Sequence, residues 1–223
     1  MTTPLIDATE MYLRTVWELE EEGIIPIRAR LVERLGLSAP AVSETVARLD
    51  QEGLVHVAPD RTLELSEHGR QLAIGVMRKH RLAERLLTDV IGLPWEEVHN
   101  EACRWEHVIS DAVEERLVAL LGSPATCPHG NPIPGLSAPP AAPEGELVTM
   151  ADAAKAGGPA AVVRISEQLQ GDVTAMRFLR EHGLRPGATA ALVVDGGGVI
   201  ATVDGERVEV PDHATDHVYV TAT

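Results

Sequence analysis

Glycines and capping residues cut the first third of this chain into short pieces, and that punctuation limits the fold more than any other feature. Asp7 followed by Glu10 reads as a capping box opening a helix that reaches about Glu22, where Gly23 stops it. A second helical segment runs from Ile27 to Leu35 and ends at Gly36. Ser38 caps a third from Ala39 to Gln51, with Pro40 tolerated in its first turn. Val42, Val46 and Leu49 give that helix an apolar stripe, leaving Ala41, Ser43, Glu44 and Arg48 on its other faces. Past Gly53, the segments Leu54–Val57 and Thr62–Leu65 predict two short strands joined through Ala58-Pro59-Asp60-Arg61. Short helices followed by a hairpin predict a winged helix-turn-helix; a helix pair that contacts another protein is the blander alternative.

Longer elements follow. Ser66 caps a helix to about Ile91, closed by Gly92; Pro94 begins another, from Trp95 to Ile109, and Ser110 a third that reaches Leu121. Val113, Leu117, Val118 and Leu121 give this last helix an apolar face with little else to bury it, so self-association is expected. From Pro124 to Pro143 the chain is rich in proline and small residues and reads as a tether or surface segment. Beyond it come five strand candidates: Ala161–Ile165, Ala188–Val194, Val199–Val203, Val208–Val210 and Val218–Thr221. With one short helix around Val173–Glu181, a small barrel is the expected solution.

Composition bounds the function. The 223 residues suit two modest domains, and aromatics at 3% leave the cores to Leu, Val, Ile and Ala. No apolar run is long enough for a membrane span and no signal peptide is evident; with two cysteines, this points to a reducing cytoplasm. The net charge of −15 opposes general attraction to nucleic acid. Ile24–Leu65 is nearly neutral, however, with Arg28, Arg30, Arg34, Arg48 and Arg61 against six acids. No phosphate loop, nucleophile elbow or paired catalytic acids stand out, so catalysis is not expected.

One constellation carries chemistry. His99, Cys103, Glu106 and His107 follow at steps of four, three and one, which aligns them on one face of the predicted Trp95–Ile109 helix. Burying an acid, a thiol and two imidazoles together is costly without a cation. The preceding helix adds His80 and Glu84, and the first helix offers Met11 as a weak sulfur ligand. Such donors suit Fe, Co, Ni and Zn, while the lack of a Cys-x-x-Cys pair argues against a closed structural zinc site. Cys127-Pro128-His129 offers metal donors but has no partner nearby in sequence and reads rather as a surface loop with an oxidisable Cys127, and His182, His213 and His217 read as ordinary surface or core histidines.

At this point a resemblance is plain. Asp7-Ala8-Thr9-Glu10-Met11-Tyr12-Leu13-Arg14-Thr15, Val76-Met77-Arg78-Lys79-His80-Arg81-Leu82-Ala83-Glu84-Arg85-Leu86-Leu87, Glu101-Ala102-Cys103-Arg104-Trp105-Glu106-His107-Val108 and Gly130-Asn131-Pro132-Ile133-Pro134-Gly135-Leu136 resemble the diphtheria toxin repressor family, the actinobacterial iron-dependent regulators in particular. The resemblance implies a mainly α N-terminal part, made of a winged helix-turn-helix and a helical dimerisation domain, and a C-terminal SH3-like small β-barrel. The corresponding domains are 1–73 (DNA binding), 74–140 (metal binding and dimerisation, ending in the proline-rich tether) and 141–223 (linker and SH3-like domain). It implies two Fe2+ sites per subunit, with Co2+, Ni2+, Mn2+ or Zn2+ as substitutes. Met11, Cys103, Glu106 and His107 form the primary site; His80, Glu84 and His99 form the ancillary one, completed by Glu167 and Gln170.

The implied partners are a homodimer and a double-stranded palindromic operator carrying one or two dimers, with no membrane. Ser38 and Pro40 match base-contacting positions, and Arg28, Arg30, Arg48 and Arg61 match phosphate contacts; Ser43 and Glu44 lie on the same reading helix. Ala41 and Glu44 stand where relatives commonly carry Thr and Gln, which alters the groove chemistry, since a carboxylate accepts from cytosine N4. The expected function is iron-dependent repression of iron-homeostasis genes. A metal-binding module without operator affinity, or a metal-dependent hydrolase, is the competing expectation.

Overall fold

The structure is a computed structural model that describes residues 8–136 and 146–222. Asp7, expected as the first helix cap, and residues 137–143 of the proline-rich stretch lie outside the described residues. The chain divides into two compact units, Met1–Lys79 with Trp105–Ile109, and His80–Arg104 with Ser110–Thr223.

In the first unit, helices α1 (Ala8–Glu21), α2 (Arg28–Leu35) and α3 (Ala39–Gln51) precede the antiparallel hairpin β1 (Val55–Val57) and β2 (Leu63–Leu65). The local signals act as expected. Gly36 adopts φ 64° and closes α2, while Ser38 Oγ accepts from Ala41 N at 3.4 Å and caps α3. Tyr12, Leu13, Val16 and Leu19 of α1 pack with Leu31, Val42, Val46, Leu49 and the hairpin residues Val55, Leu63 and Leu65. Helix α4 (Glu67–Arg85) comes close to the hairpin entry at Gly69, where a Cβ would stand 2.1 Å from the Leu54 carbonyl oxygen. Only glycine fits there.

The second unit contains the π-helical turn Leu86–Ile91, most of α5 (Val98–Trp105), α6 (Asp111–Leu120) and a C-terminal α+β region. That region runs β3 (Leu147–Thr149), α7 (Met150–Ala156), β4 (Gly158–Ile165), α8 (Glu167–Gln170), α9 (Val173–Glu181), β5 (Thr189–Asp195), β6 (Gly198–Val203), β7 (Glu206–Val210), α10 (Asp212–Thr215) and β8 (Val218–Ala222). Its strands form one antiparallel sheet in the order β3-β8-β4-β5-β6-β7.

The expected barrel is therefore wrong. Edge strands β3 and β7 are not paired to each other, so the sheet is open. One edge strand is only three residues long, and the other carries exposed Glu206, Arg207 and Glu209, features that discourage further pairing. Instead of closing on itself, the sheet buries apolar surface under helices. Met150 and Ala154 of α7 and Ala175, Met176 and Leu179 of α9 join Val162, Leu192, Ala201, Val218 and Val220 in one core.

Two further expectations fail. Helix α5 ends at Trp105, where the carbonyl accepts from Val108 N at 2.9 Å and Ile109 N at 3.1 Å, and Glu106–Val108 form a turn. Glu106 and His107 thus do not continue one helical stripe from His99 and Cys103. The segment after Pro124 is not a surface loop either: Cys127, His129, Asn131 and Ile133 are buried. Arg85 Nε donates to Thr126 O at 2.7 Å, Trp95 Nε1 to Pro128 O at 3.1 Å, Ile165 N to His129 O at 3.0 Å, and Arg81 to Pro132 O. Gly130 makes this course possible. It has φ 87°, and a Cβ there would meet Val163 O at 2.1 Å. Among the described residues no helix is long and apolar enough to cross a membrane.

Candidate metal centres and DNA-reading surface

Helical spacing places His80 and Glu84 one turn apart on α4, and α5 supplies His99. Glu167 opens α8, whose Ser166 cap holds it where β4 ends. All four side chains are buried. His80 Nε2 lies 3.2 Å from Glu84 Oε1, 3.2 Å from His99 Nδ1 and 3.5 Å from Glu167 Oε2. His99 Nδ1 lies 3.4 Å from Glu84 Oε1 and 3.3 Å from Glu167 Oε2.

Those five spacings match a cation cage. A tetrahedron with metal–ligand bonds of about 2.0–2.1 Å has edges of about 3.3–3.4 Å. Protons alone fit less well: among the described residues Glu84 Oε2 and Gln170 Oε1 are buried without a hydrogen-bond partner, and Glu167 Oε2 has only the ring nitrogens of His99 at 3.3 Å and His80 at 3.5 Å beside it, although Gln170 Nε2 donates to Ile165 O at 2.8 Å. Orphaned buried acceptors are costly. The residues present therefore fit a divalent ion.

The electrostatics point the same way. Burial pushes the Glu84 carboxyl upward, but His129 and His80 outweigh it and hold the group well below the usual carboxylate range. Glu167 is likewise held low against burial, chiefly by Arg81, whose Nε donates to its Oε1 at 3.0 Å. His99 is held well above the imidazole range: burial opposes its charge, but Cys103, Glu167 and Glu84 prevail. Cys103 Sγ sits 3.5 Å from His99 Nε2, and the ligand atoms of His80, His99 and Cys103 lie within 4.8 Å of one another. Arg81 was missed in the sequence because an arginine beside a ligand pair reads as a surface residue, yet it is fully buried.

In the first unit, Glu106 and His107 are neighbours, with His107 Nε2 3.1 Å from Glu106 Oε1. Both already have protein partners. Arg14 Nη1 donates to Glu106 Oε1 at 2.6 Å and Oε2 at 2.7 Å, and His107 Nδ1 lies 2.6 Å from Glu10 Oε2. The Glu106 hydrogen bond, against burial and with help from Glu10, raises the His107 imidazole above its ordinary value. Met11 packs against the winged core. In the sequence Glu10 reads only as part of a helix-capping box and Arg14 as a solvated helix residue, so neither stood out as a partner of Glu106 or His107.

The predicted DNA contacts share the winged unit. Ser38, Pro40, Ser43 and Glu44 are all exposed on α3 or at its cap. Arg28, Ser43 and Arg61 line a groove of about 500 Å³ with Ile27, Ala29 and Asp60. Arg61 occupies the hairpin tip with φ 73°, while Arg30 pairs with Glu33 and Arg48 with Glu52, each at 2.9 Å. These weak exposed pairs are easily exchanged for phosphate. The groove brings Arg28 and Arg61 together beside Asp60, in a chain whose overall charge is negative.

Fold and clusters together define a class: winged-helix proteins that also carry a buried divalent-cation cage. Residues 4–63 match the family described as iron dependent repressor, N-terminal DNA binding domain, and residues 66–135 match its metal binding and dimerisation domain. Residues 148–222 match the FeoA domain. The chain is 53% identical to the iron-dependent repressor IdeR of Mycobacterium tuberculosis (strain ATCC 25618 / H37Rv), over 97% of each chain. It is 47% identical to the diphtheria toxin repressor of Corynebacterium diphtheriae, covering 93% of this chain and 94% of the relative. Among solved structures, a manganese-dependent transcriptional repressor in complex with manganese superposes with TM-score 0.81 at 29% identity, covering 97% of this chain and all of that one. The manganese regulator SloR superposes with TM-score 0.76 at 30% identity over the full length of both. The chain belongs to the iron-dependent repressor family, whose members are DNA-binding regulators rather than enzymes.

Proposed function

We propose that this chain is an Fe2+-dependent transcriptional repressor that binds palindromic operators of iron-homeostasis genes as metal-loaded dimers, one or two per operator. The observation that carries the reading is the buried group of His80, Glu84, His99 and Glu167, with donor spacings of 3.2–3.5 Å, in a chain that also folds a winged helix. High identity to proteins named for iron dependence favours iron over manganese, as do the sulfur donors Met11 and Cys103. Co2+, Ni2+, Mn2+ and Zn2+ are the expected substitutes.

On this reading His80, Glu84, His99, Glu167 and Gln170 hold one ion, and Met11, Cys103, Glu106 and His107 hold the regulatory one. Bound there, a cation supplies a fixed charge that several side chains must face at once, and it favours whichever arrangement offers them all. Arg28, Arg30, Arg48 and Arg61 serve as phosphate contacts, with Ser38, Pro40, Ser43 and Glu44 at base edges. On this reading the domains are 1–73, 74–140 and 141–223; three matched regions support a threefold division, the second of them beginning at residue 66. Apolar Val90, Ile91, Val113 and Leu120 are exposed and suit the dimer face. The working compartment is the cytoplasm. Anaerobic selection of DNA with Fe2+, repeated with chelator and with Cys103→Ala, tests the proposal. Selection of a palindrome only by the iron-loaded unaltered chain is expected; equal selection in chelator overturns it.

A further inference from the structure

Glu167 reaches the cage from the C-terminal region, whereas His80, Glu84 and His99 come from α4 and α5. The cage is complete only while that region sits against α5. Without an ion, the Glu84 and Glu167 carboxylates bring like charges to the same two imidazoles and repel each other. Arg81 of α4 offsets part of this. A second charged contact, outside the cage, acts on the same region.

That contact is built around Glu96. Just before α5, Glu97 N donates to Pro94 O at 2.8 Å, and the turn this closes carries Glu96 into a buried position. Arg177 and Arg180 lie three apart on α9 and so share a face, while Ala175, Met176 and Leu179 of the same helix pack into the sheet core. Arg177 Nε stands 3.5 Å from Glu96 Oε1, and Arg180 Nε 3.0 Å from Oε2. Two neighbours widen the seam. Asn100 Nδ2 donates to Gly171 O at 3.3 Å, and the Arg185 guanidinium lies 5.1 Å from the centre of the Trp95 ring, itself part of the sheet core. Only Gly171 and Asp172 separate α8 from α9, so a clamp on α9 fixes the direction from which Glu167 enters.

We propose that Glu96 is a positioning residue for the cage: paired with Arg177 and Arg180, it holds α8 so that Glu167 faces His80 and His99 before an ion arrives. This rests on the cage reading of the proposed function and adds to it a residue that touches no ion. Donors already in place bind more tightly, because less ordering is left to the binding step. Arg177 and Arg180 are 48% and 35% exposed, so salt weakens the clamp.

Two measurements on the full chain test this, with Arg207→Gln, at the exposed pair with Asp195, as the control. In metal-free protein, Glu96→Gln should speed hydrogen exchange at the Leu169 and Gln170 amides, which donate to Ser166 O, about tenfold. Exchange no faster than the control's overturns the clamp. In anaerobic Co2+ titrations, Glu96→Gln should weaken uptake of the first equivalent about tenfold. It should cost nothing further in a chain that already carries Glu167→Gln, because both changes act through one ligand. Equal losses in the two backgrounds overturn the proposal, since a general loss of stability would produce them. Faster exchange in a chain that takes up no Co2+ supports the clamp and removes the cage reading instead.

Discussion

The buried cage of the second unit and the Glu106–His107 pair of the first solve opposite problems with similar side chains. In the cage, carboxylate oxygens and ring nitrogens face each other at 3.2–3.5 Å, and among the described residues Glu84 Oε2 and Gln170 Oε1 have no hydrogen-bond partner. In the pair, Arg14 spans both Glu106 oxygens and Glu10 holds His107. The cage has the spacing of an ion's ligands, with buried acceptors left over. The pair is satisfied by protein groups, which an ion bound there on the proposed reading would have to displace. Preorganised donors bind tightly and stabilise, whereas donors that must exchange partners can switch.

The largest expected effect tests the cage's need for positive charge. Arg81 is buried and paired with Glu167, so Arg81→Ala should cost the metal-free chain about 3–5 kcal/mol in urea unfolding. Arg207→Ala, at an exposed pair, should cost less than about 1 kcal/mol. Similar losses for the two would break the contrast. Next in size, His107→Ala should lower Fe2+-dependent operator affinity about 100-fold and His80→Ala about tenfold, read by anisotropy under anaerobic conditions. Equal losses would mean that both groups switch. Arg14→Ala frees Glu106 from its guanidinium and should tighten cation uptake there about tenfold. Unchanged or weaker uptake would show that Arg14 does not compete.

The smallest effect is in pH. His99 is held high, so its contribution to metal-free stability is full below its ordinary value of 6.5 and lost as pH rises through the folded value. Glu84 is held low, so its contribution is present above 4.5 and lost as pH falls through the folded value. As far as this cluster sets it, the metal-free optimum lies between 4.5 and 6.5. Zinc loading should move it upward, because an imidazole must be neutral to ligate. Thermal melts across pH with and without Zn2+ would show it; a stationary optimum would contradict it.

What the sequence made legible follows the same division between local and distant causes. Helix ends at Gly36, Ser38 and Gly53 are set by neighbouring atoms, and they fall where the residues place them. The His80–Glu84 spacing needs only a helix. Sheet closure depends on edges: a three-residue β3 and a charged β7 leave the sheet open, whereas the five short strand candidates in the sequence had suggested a barrel. The burial of Cys127–Ile133 was hidden because proline and glycine read as surface. What buries it is Gly130 against Val163 and arginine donors from α4, all distant in sequence. Arg14 and Arg81 were passed over for one reason: an arginine's partner cannot be read from its own spacing.

The most direct measurement is a stepwise anaerobic Fe2+ titration that follows thermal stability and operator affinity in the same samples. The first equivalent should fill the cage and raise the melting temperature with little gain in DNA binding, and affinity should climb as the Glu106–His107 ligands are taken. Operator affinity that rises fully with the first equivalent, in step with stability, would contradict the division between a stabilising ion and a switching one.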